Sequence, residues 1–331
     1  MSMRARSGET LIVVPDAESE SDAQAFRDIF TALDAPGVEL SVHVGAPESD
    51  AEWKRVLRDA DAVVLNWKLP DAALRAAPRL RSVCFLGTGA SDHLNLALAA
   101  DRGVEVATVA GYADAAVAEH AFALMLAVAR SIPRHDRELR AGGWSPASGL
   151  QLQGSRLGLV GFGGIARHAA RIARGFGMQV AAYNRSPFEH PHVRQVGLDE
   201  LCATSDVLSL HLALTPETRG IIGRRELELM PPHAMLVNTA RGALVDEAAL
   251  LAALEEGRLL GAGLDVFGRE PAEPGDPLIA HPAVVATPHV GYATEQAERE
   301  LLRRGLETAL AAVAAAKTAG AAVLGSGTGT E

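Results

Sequence analysis

One glycine pattern limits the fold of this chain more than any other feature. The apolar run 156–160 is followed directly by six residues of the form GxGxxA: Gly161, Phe162, Gly163, Gly164, Ile165 and Ala166. The first glycine permits a tight turn from a strand into a helix, the second lets an anionic group approach the backbone, and the small last residue lets helix and strand pack closely. The pattern therefore predicts a strand-turn-helix unit that can bind an anion, although such turns also occur for structural reasons alone.

Short β-rich runs alternate with helix-like stretches on both sides of this pattern. Five runs precede it, at residues 10–14, 40–44, 62–65, 82–86 and 104–108. A second series follows, at residues 156–160, 179–183, 207–211, 234–238, 260–265 and 284–287. Alternation of this kind favours parallel strands joined by crossover helices. The predicted fold class is therefore α/β, with two Rossmann-like, doubly wound parallel-sheet domains.

The second strand of the later series ends in a basic segment rather than an acidic one. Folds that bind NAD usually present Asp or Glu to the ribose about 20 residues after the glycines, whereas the run 179–183 is followed by Asn184, Arg185 and Ser186. Arg185 can pair with a 2′-phosphate, and its two neighbours can hydrogen-bond to it. We therefore expect NADP(H) as the preferred cofactor and NAD(H) as the lesser one. An exposed loop arginine without a ligand is the alternative.

Two long helical patterns indicate how the domains are connected. The Ala-rich segment 113–130 links the two series of strands, and residues 295–316 form a second helical pattern near the C-terminus. If that last helix packs on the first series, the first domain is discontinuous. We expect a substrate (catalytic) domain at 1–107 and 293–331, and a dinucleotide-binding domain at 108–292.

The composition and charge of the chain argue against several classes of function. Apolar residues make up 48% of the 331 residues, and the formal net charge is −10. Because no basic stripe is present, a nucleic-acid partner is not expected. No apolar run reaches the ~18 to 20 residues that cross a bilayer, and the first apolar run is too short for a signal peptide. Cys84 and Cys202 have no disulfide or zinc spacing. We expect a cytoplasmic protein without a membrane partner or a metal site.

Three residues in the C-terminal half carry groups suited to one reaction. Arg241 lies in Asn-Thr-Ala-Arg-Gly, Glu270 precedes Pro271, and His289 follows Pro288. An imidazole that titrates near neutral pH can give or take a proton, a carboxylate can orient it, and a guanidinium binds a substrate carboxylate. Together these groups suit the reduction of a 2-keto acid. Taken one at a time, they also fit a helix cap, a surface charge and a satisfied buried histidine.

The same motifs resemble a known family. From about Leu80 to Glu298 the chain is similar to the D-isomer-specific 2-hydroxyacid dehydrogenases, which include glyoxylate and hydroxypyruvate reductases. Besides the glycine pattern, the resemblance rests on residues 86–90, 111–112, 117–120, 210–212, 238–247, 264–267 and 287–289. It implies an enzyme that reversibly reduces a short 2-keto acid to the D-2-hydroxy acid, with hydride from the nicotinamide of NAD(P)H and a proton from His289.

The resemblance also assigns a role to each site residue. His289 would be the general acid, Glu270 would hold its other ring nitrogen, and Arg241 would bind the substrate carboxylate and polarise the keto group. Further amides for that carboxylate are expected from Gly87, Thr88 and Gly89. The residues expected on the adenosine and pyrophosphate side are His211, Leu212 and Thr218. Those expected beside the nicotinamide are Thr239, Ala240, Asp265, His289 and Gly291.

Several of these roles have structural alternatives. A short glycine turn such as 87–89 exposes amides whether or not a ligand binds them. Asp265, which ends a predicted strand, would also serve as a turn cap. Glu119 and His120, on the segment 113–130, are interpreted as structural or interface residues.

Other interpretations of the family remain open. Related corepressors bind a dinucleotide and recruit peptide partners, and formate and phosphite dehydrogenases share the architecture. The joint presence of Arg241, Glu270 and His289 favours catalysis over a binding module. The family also implies a homodimer formed through the segment 113–130, while burial of that segment within one chain is the alternative.

Overall fold

The structure is a computed structural model that describes residues 10–87 and 89–325, with side chains up to residue 316. Its contacts divide the chain into two compact units. The first unit ends at Tyr112 and resumes at Glu295, and the second unit is Ala113–Thr294. The sequence places the two boundaries a few residues earlier, at 107/108 and 292/293. The α/β class and the discontinuous first unit are confirmed, whereas the functions of the two units stay predictions.

A five-stranded parallel sheet forms the centre of the first unit. Its strands are β1 (Thr10–Ala17), β2 (Val38–Val44), β3 (Ala62–Leu65), β4 (Ser82–Phe85) and β5 (Glu105–Thr108). They lie in the order β2-β1-β3-β4-β5, so the direction of winding reverses between β1 and β3. On β3, Val63 and Leu65 enter the core on one face, and Ala62 and Val64 enter the core on the other. Burial on both faces explains why this strand is a continuous apolar run.

Helices cover both faces of this sheet. They are α1 (Glu20–Leu33), α2 (Asp50–Leu57), α3 (Asp71–Arg75), α4 (Leu96–Asp101) and α12 (Glu295–Gly325). Ser19 and Ser49 begin the first two helices, because each hydroxyl accepts a backbone N–H of the first turn. Helix α12 places Leu306, Ala309 and Val313 in the core beside β1. That packing returns the C-terminal segment to the first unit.

The second unit contains a seven-stranded parallel sheet. Its strands are β6 (Arg156–Val160), β7 (Gln179–Tyr183), β8 (Arg194–Gln195), β9 (Val207–Leu210), β10 (Met235–Asn238), β11 (Gly261–Leu264) and β12 (Val284–Ala286). Their order is β12-β11-β10-β9-β6-β7-β8, which reverses between β6 and β9. Each strand predicted from an apolar run is present. Strand β8 was not predicted, because its two residues are polar and exposed.

Seven helices belong to this unit: α5 (Asp114–Ala129), α6 (Ile132–Arg140), α7 (Gly164–Gly175), α8 (Leu198–Thr204), α9 (Arg224–Leu229), α10 (Glu247–Glu255) and α11 (Pro277–Ala280). Helix α5 lies unusually close to β11. A Cβ atom on Gly261 would lie 2.9 Å from Val128 Cγ1, and one on Gly263 would lie 2.8 Å from Leu124 Cβ. One face of α5 is thus buried within its own unit, as the burial alternative expects. The homodimer stays a prediction.

In the described part of the chain, no single helix is both long and apolar enough to cross a bilayer. Helices α5 and α6, bent by 60°, reach that length and apolar composition only as a pair.

Candidate active site

The predicted site residues of the second unit lie at one edge of its sheet. They follow the carboxyl ends of β7, β6, β9, β10, β11 and β12 in spatial order: Asn184, Gly161, His211, Arg241, Asp265 and His289. Open α/β sheets bind ligands at this edge, beside the point where the strand order reverses. The fold therefore brings residues from six separate segments to the edge at which chemistry is expected.

Glu270 holds the imidazole of His289. Nδ1 of His289 lies 2.7 Å from Oε2 of Glu270. Because an ionised carboxylate can only accept, Nδ1 is the donor and Nε2 is left for another partner. The backbone N–H of Phe267 donates to Oε1 of Glu270 at 3.0 Å, which fixes the carboxylate in turn. The side chains are 39% and 37% exposed, so a ligand can reach the pair.

Asp265 anchors the loop that carries His289. This aspartate is only 1% exposed. Its Oδ1 accepts the N–H of Val290 at 2.9 Å, and its Oδ2 accepts the N–H of Gly291 at 2.8 Å. A Cβ atom on Gly291 would lie 2.9 Å from Oδ2, so the close approach requires glycine there. These contacts fit the turn-cap alternative for Asp265, and its contact with a nicotinamide stays a prediction.

Two side chains complete the surroundings of Asp265. The Thr287 hydroxyl donates to Oδ1 at 2.6 Å, and Nε2 of His120 lies 3.3 Å from the same oxygen. Burial disfavours the charged carboxylate, but the hydrogen bonds from His120, Thr287 and two backbone amides outweigh it. They hold the pKa of Asp265 below its usual range. The sequence did not predict that His120 would take part in this network.

Arg241 presents an exposed guanidinium at the end of β10. It begins the 3₁₀ turn Gly242–Leu244, but its side chain does not cap that turn. The guanidinium donates to the carbonyl of Ala240 at 2.6 Å. Asn238 holds the backbone in place, because it donates to the Arg241 carbonyl and accepts the Ala240 N–H. The helix-cap alternative thus does not apply, and the planar fork is suited to a carboxylate.

The glycine turn has the geometry that a pyrophosphate needs. Gly161 has φ +94°, and a Cβ atom there would lie 2.6 Å from the carbonyl oxygen of His211 and 3.0 Å from Leu212 Cβ. Only glycine fits that position. A Cβ atom on Gly163, in contrast, would meet nothing within 4 Å. Space therefore lies beside the backbone at the second glycine, where α7 begins and an anion is favoured.

Gly164 lies against a side chain that the sequence did not reveal. A Cβ atom there would lie 1.8 Å from a carboxylate oxygen of Asp114, the first residue of α5. Any larger residue at this position would force the Asp114 carboxylate to move away from the first turn of α7. Asp114 was therefore missed as a determinant of the turn, because only the fold brings it close.

Part of the segment after β7 makes hydrogen bonds within the protein. Oδ1 of Asn184 accepts the N–H of Phe162 at 3.2 Å, and its Nδ2 donates to the Ser186 carbonyl at 2.9 Å. Arg185 is exposed. The pKa of the exposed Glu217 is lowered, first by the Thr215 hydroxyl and also by the charge of Arg185. A carboxylate therefore lies near the guanidinium that was predicted to bind a 2′-phosphate.

Two buried polar atoms near this edge have no hydrogen-bond partner among the described residues: Nδ1 of His211 and Oγ1 of Thr239. Nε2 of His211 lies 2.9 Å from Ser209 Oγ, and burial lowers the pKa of His211 to about 4. Its ring is therefore neutral near pH 7. The Thr218 hydroxyl donates to the carbonyl of Ala213, so it is satisfied locally. The unpartnered atoms and the space at the glycine turn fit a bound dinucleotide.

The first unit has its own site candidates at the carboxyl edge of its sheet. Gly87 follows β4 with φ +153°, and a Cβ atom there would lie 2.9 Å from the Phe85 ring. Gly89 precedes a 3₁₀ turn, and Thr88 lies outside the described residues. The ring of His93 stacks on Phe85 with 4.3 Å between centroids. The predicted amide donors of this loop stay predictions.

Asp16 fixes the neighbouring loop of that edge and was not predicted. It is 1% exposed. Its two oxygens accept the N–H groups of Asn66 at 3.1 Å and Trp67 at 2.7 Å. Burial raises the pKa of Asp16 to about 6, against the lowering effect of these two amides and with a further increase from Glu18. On the other side, Nδ1 of His93 bonds to the carbonyl of Trp67.

The chain is similar to known proteins of one family. Residues 122–291 match the family described as D-isomer specific 2-hydroxyacid dehydrogenase, NAD binding domain. A glyoxylate reductase of Thermococcus litoralis is 40% identical over 287 residues, which cover 81% of this chain and 86% of the relative. The chain belongs to the D-isomer specific 2-hydroxyacid dehydrogenase family. It is an oxidoreductase that acts on CH–OH donors, and its second unit contains the matched NAD-binding region.

Solved structures share the architecture. A D-lactate dehydrogenase of Treponema pallidum superposes with a TM-score of 0.83 at 27% identity, covering 92% of this chain and 97% of its own. The acyclic imino acid reductase Bsp5, in complex with NADPH and D-Arg, gives a TM-score of 0.74 at 29% identity and covers 90% and 94% of the two chains. The two neighbours differ in the compounds that their names give, a D-lactate dehydrogenase and an imino acid reductase bound to D-Arg.

Proposed function

We propose that this enzyme reduces a short 2-keto acid to the D-2-hydroxy acid, reversibly and with NADPH preferred over NADH. The observation that carries the proposal is the 2.7 Å contact between His289 Nδ1 and Glu270 Oε2 at the carboxyl edge of the NAD-binding sheet. An imidazole held in this way is an oriented acid with one nitrogen free. The glyoxylate reductase relative supports a small substrate such as glyoxylate or hydroxypyruvate.

One group transfers the proton, and a different group binds the substrate carboxylate. The glycine turn at Gly161 and Gly163 would hold the dinucleotide, whose reduced nicotinamide would supply the hydride for the keto carbon. His289 donates the Nε2 proton to the keto oxygen, and Glu270 stabilises the charged imidazole before that transfer. Arg241 binds the substrate carboxylate through its fork and polarises the keto group. In the reverse direction His289 takes the hydroxyl proton, and solvent restores or removes the proton between turnovers.

The cofactor preference rests on the segment after β7. Arg185 is exposed beside the end of that strand, and no carboxylate occupies positions 184–186. Asn184 is turned toward Phe162 and Ser186, so it supports the turn rather than a ribose. The match to NAD-binding domains supports a nicotinamide cofactor, and the NADPH complex of the imino acid reductase supports the phosphorylated form.

Initial rates provide the test. NADPH and NADH oxidation is measured side by side with glyoxylate, hydroxypyruvate, pyruvate and phenylpyruvate, using His289→Ala as the control. The proposal expects turnover with at least one keto acid, loss of that turnover in the control, and a higher kcat/KM with NADPH. A higher kcat/KM with NADH would overturn the cofactor preference. Absence of turnover with all four, together with dinucleotide-dependent capture of a peptide partner, would favour the corepressor-like alternative.

We also propose that the enzyme works as a homodimer through the exposed face of α5. Ala115, Glu119 and Ala123 are spaced four residues apart on that helix and are exposed in the single chain. The two alanines leave room for a second helix on either side of Glu119. Light scattering should give twice the mass of one chain, and Ala123→Glu should reduce it to one.

A further inference from the structure

The backbone of His289 has a conformation that needs external support. Its φ is +54°, in the left-handed region that residues other than glycine rarely adopt. Such a conformation persists only where the surroundings fix it from several sides. Here the His289 N–H donates to the backbone carbonyl of Asp265 at 2.8 Å. The side chain of Asp265 holds the next two amides of the loop, so the orientation of the imidazole depends on this aspartate.

The donors around Asp265 can be assigned from the number of hydrogens that each neighbouring group carries. The Thr287 hydroxyl has one hydrogen, and it points to Oδ1 of Asp265 at 2.6 Å. Nε2 of His120 lies 2.9 Å from the Thr287 oxygen. Since that oxygen has no second hydrogen to give, Nε2 of His120 must be the donor. His120 therefore donates to Thr287 and, at 3.3 Å, lies within ion-pair distance of Asp265.

The register of α5 on β11 explains why a helix residue reaches the active-site loop. Val128 packs on Gly261 and Leu124 packs on Gly263, so four residues along the helix match two along the strand. These steps agree in length, at ~6.0 Å for the helix and ~6.6 Å for the strand. One further step in the same direction pairs His120 with Asp265. The two glycines thus allow the close packing that brings the imidazole to the loop.

We propose that His120 is a positioning residue for His289. By donating to Thr287 beside Asp265, it fixes the loop 287–291 and so keeps the acid imidazole against Glu270. The expected effect of His120 on catalysis rests on the proposed function, whereas its effect on the loop 287–291 does not. The His120 side chain is 20% exposed, so most of its surface is packed and both its donor and its volume must be tested.

Matched variants separate the donor from the volume. His120→Leu fills the space without a donor, and His120→Gln keeps an N–H near the position of Nε2. Small displacements of a catalytic group lower the rate by up to about 100-fold. We therefore expect kcat to fall about 10- to 100-fold in His120→Leu and to recover largely in His120→Gln. The Kd for NADPH, from its fluorescence, should change little in either. Thr287→Val and Thr287→Ser repeat the comparison if His120→Leu fails to fold.

A second readout does not depend on turnover. The proton between His289 and Glu270 should give a downfield imidazole signal in the NMR spectrum of ¹⁵N-histidine-labelled protein, assigned by its loss in His289→Ala. The signal should persist in His120→Gln and should be lost or broadened in His120→Leu.

Three outcomes would overturn the positioning role. These are an unchanged kcat in His120→Leu, an equal fall of kcat in both His120 variants, or a signal that is unchanged in His120→Leu. If wild-type protein turns over none of the keto acids, the proposed function fails and the NMR comparison alone decides the role of His120.

Discussion

The two parallel sheets carry similar groups at their carboxyl edges but give them different surroundings. Each edge has a buried aspartate that accepts two backbone N–H groups, Asp16 in the first unit and Asp265 in the second. Among the described residues, only Asp265 of the two also receives side-chain hydrogen bonds, and its pKa is lowered, whereas the pKa of Asp16 rises to about 6. Two backbone amides alone do not offset the burial of a carboxylate here, while additional side-chain donors do.

The same contrast applies to two imidazoles. Nδ1 of His289 donates to the carboxylate of Glu270. Nδ1 of His93 bonds to the carbonyl of Trp67, so it too must be a donor. A carboxylate partner stabilises the protonated ring, whereas a carbonyl orients the ring with less effect on its charge. The second unit therefore has an arrangement suited to proton transfer, and the first unit has one suited to holding a loop.

Replacing each of the two histidines with alanine should separate these roles, and we expect the largest effect on kcat here. His289→Ala is expected to lower kcat by roughly 10² to 10⁴, the usual contribution of positioned acid-base catalysis. His93→Ala should change kcat far less, because it removes a contact to the Trp67 loop and no proton donor of the proposed reaction. Steady-state kinetics at saturating NADPH measure both. Equal losses of kcat in the two variants would contradict the distinction.

Substitution by asparagine should change the free energy of unfolding by different amounts at Asp16 and Asp265. Asp265→Asn leaves several donors facing an amide, so the free energy of unfolding should fall by about 3 kcal/mol or more. Asp16→Asn removes a charge whose burial costs about 3 kcal/mol and loses an acceptor worth about 1 to 3 kcal/mol, so the changes nearly cancel at pH 7. Urea unfolding compares them. A destabilisation as large in Asp16→Asn as in Asp265→Asn would show that the side-chain donors make no difference.

The pH dependence of stability should have opposite signs at the two sites. The pKa of Asp16 rises from 3.8 to about 6 on folding, so the native state binds the proton more tightly. Its contribution to stability therefore falls by about 3 kcal/mol as pH rises through that window. Asp265, with a lowered pKa, contributes stability that is lost as pH falls. The difference in unfolding free energy between wild type and Asp16→Asn, measured from pH 4 to 7, should decrease; a flat difference would refute the raised pKa.

A smaller effect should distinguish the cofactors. Arg185→Ala removes a charge-assisted contact worth about 1.5 to 3 kcal/mol, so kcat/KM for NADPH should fall about 10- to 100-fold while that for NADH changes little. Glu217→Gln removes the nearby carboxylate and should shift the ratio modestly toward NADPH. Opposite directions in the two variants are the expected result. A parallel change for both cofactors in Arg185→Ala would mean that the arginine does not contact a 2′-phosphate.

Most of the fold could be predicted because its signals are local. Apolar runs such as 62–65 and 207–211 indicate strands buried on both faces, and the glycine turn at Gly161 marks the strand at which the sheet order reverses. Strand β8 could not be predicted, since Arg194 and Gln195 pair with β7 through the backbone without an apolar pattern.

The candidate site could be predicted only in part from such local signals. Residues that follow strands, such as Arg241 and His289, meet at one edge by the rule for parallel sheets. His120 lies 167 residues before Thr287 in the chain, and no local pattern joins them. A signal was present in the spacing of His120, Leu124 and Val128 against two glycines of β11, but using it requires knowing that α5 packs on that strand.

Product analysis tests directly whether the enzyme reduces 2-keto acids to D-2-hydroxy acids through His289. Wild-type enzyme is incubated with glyoxylate, hydroxypyruvate, pyruvate or phenylpyruvate and limiting NADPH, and the hydroxy acid is quantified, with chiral separation for the three keto acids that give a chiral product. We expect one hydroxy acid for each NADPH oxidised, in the D configuration where the product is chiral, and none with His289→Ala. An L product, or product formation that is unchanged in His289→Ala, would contradict it.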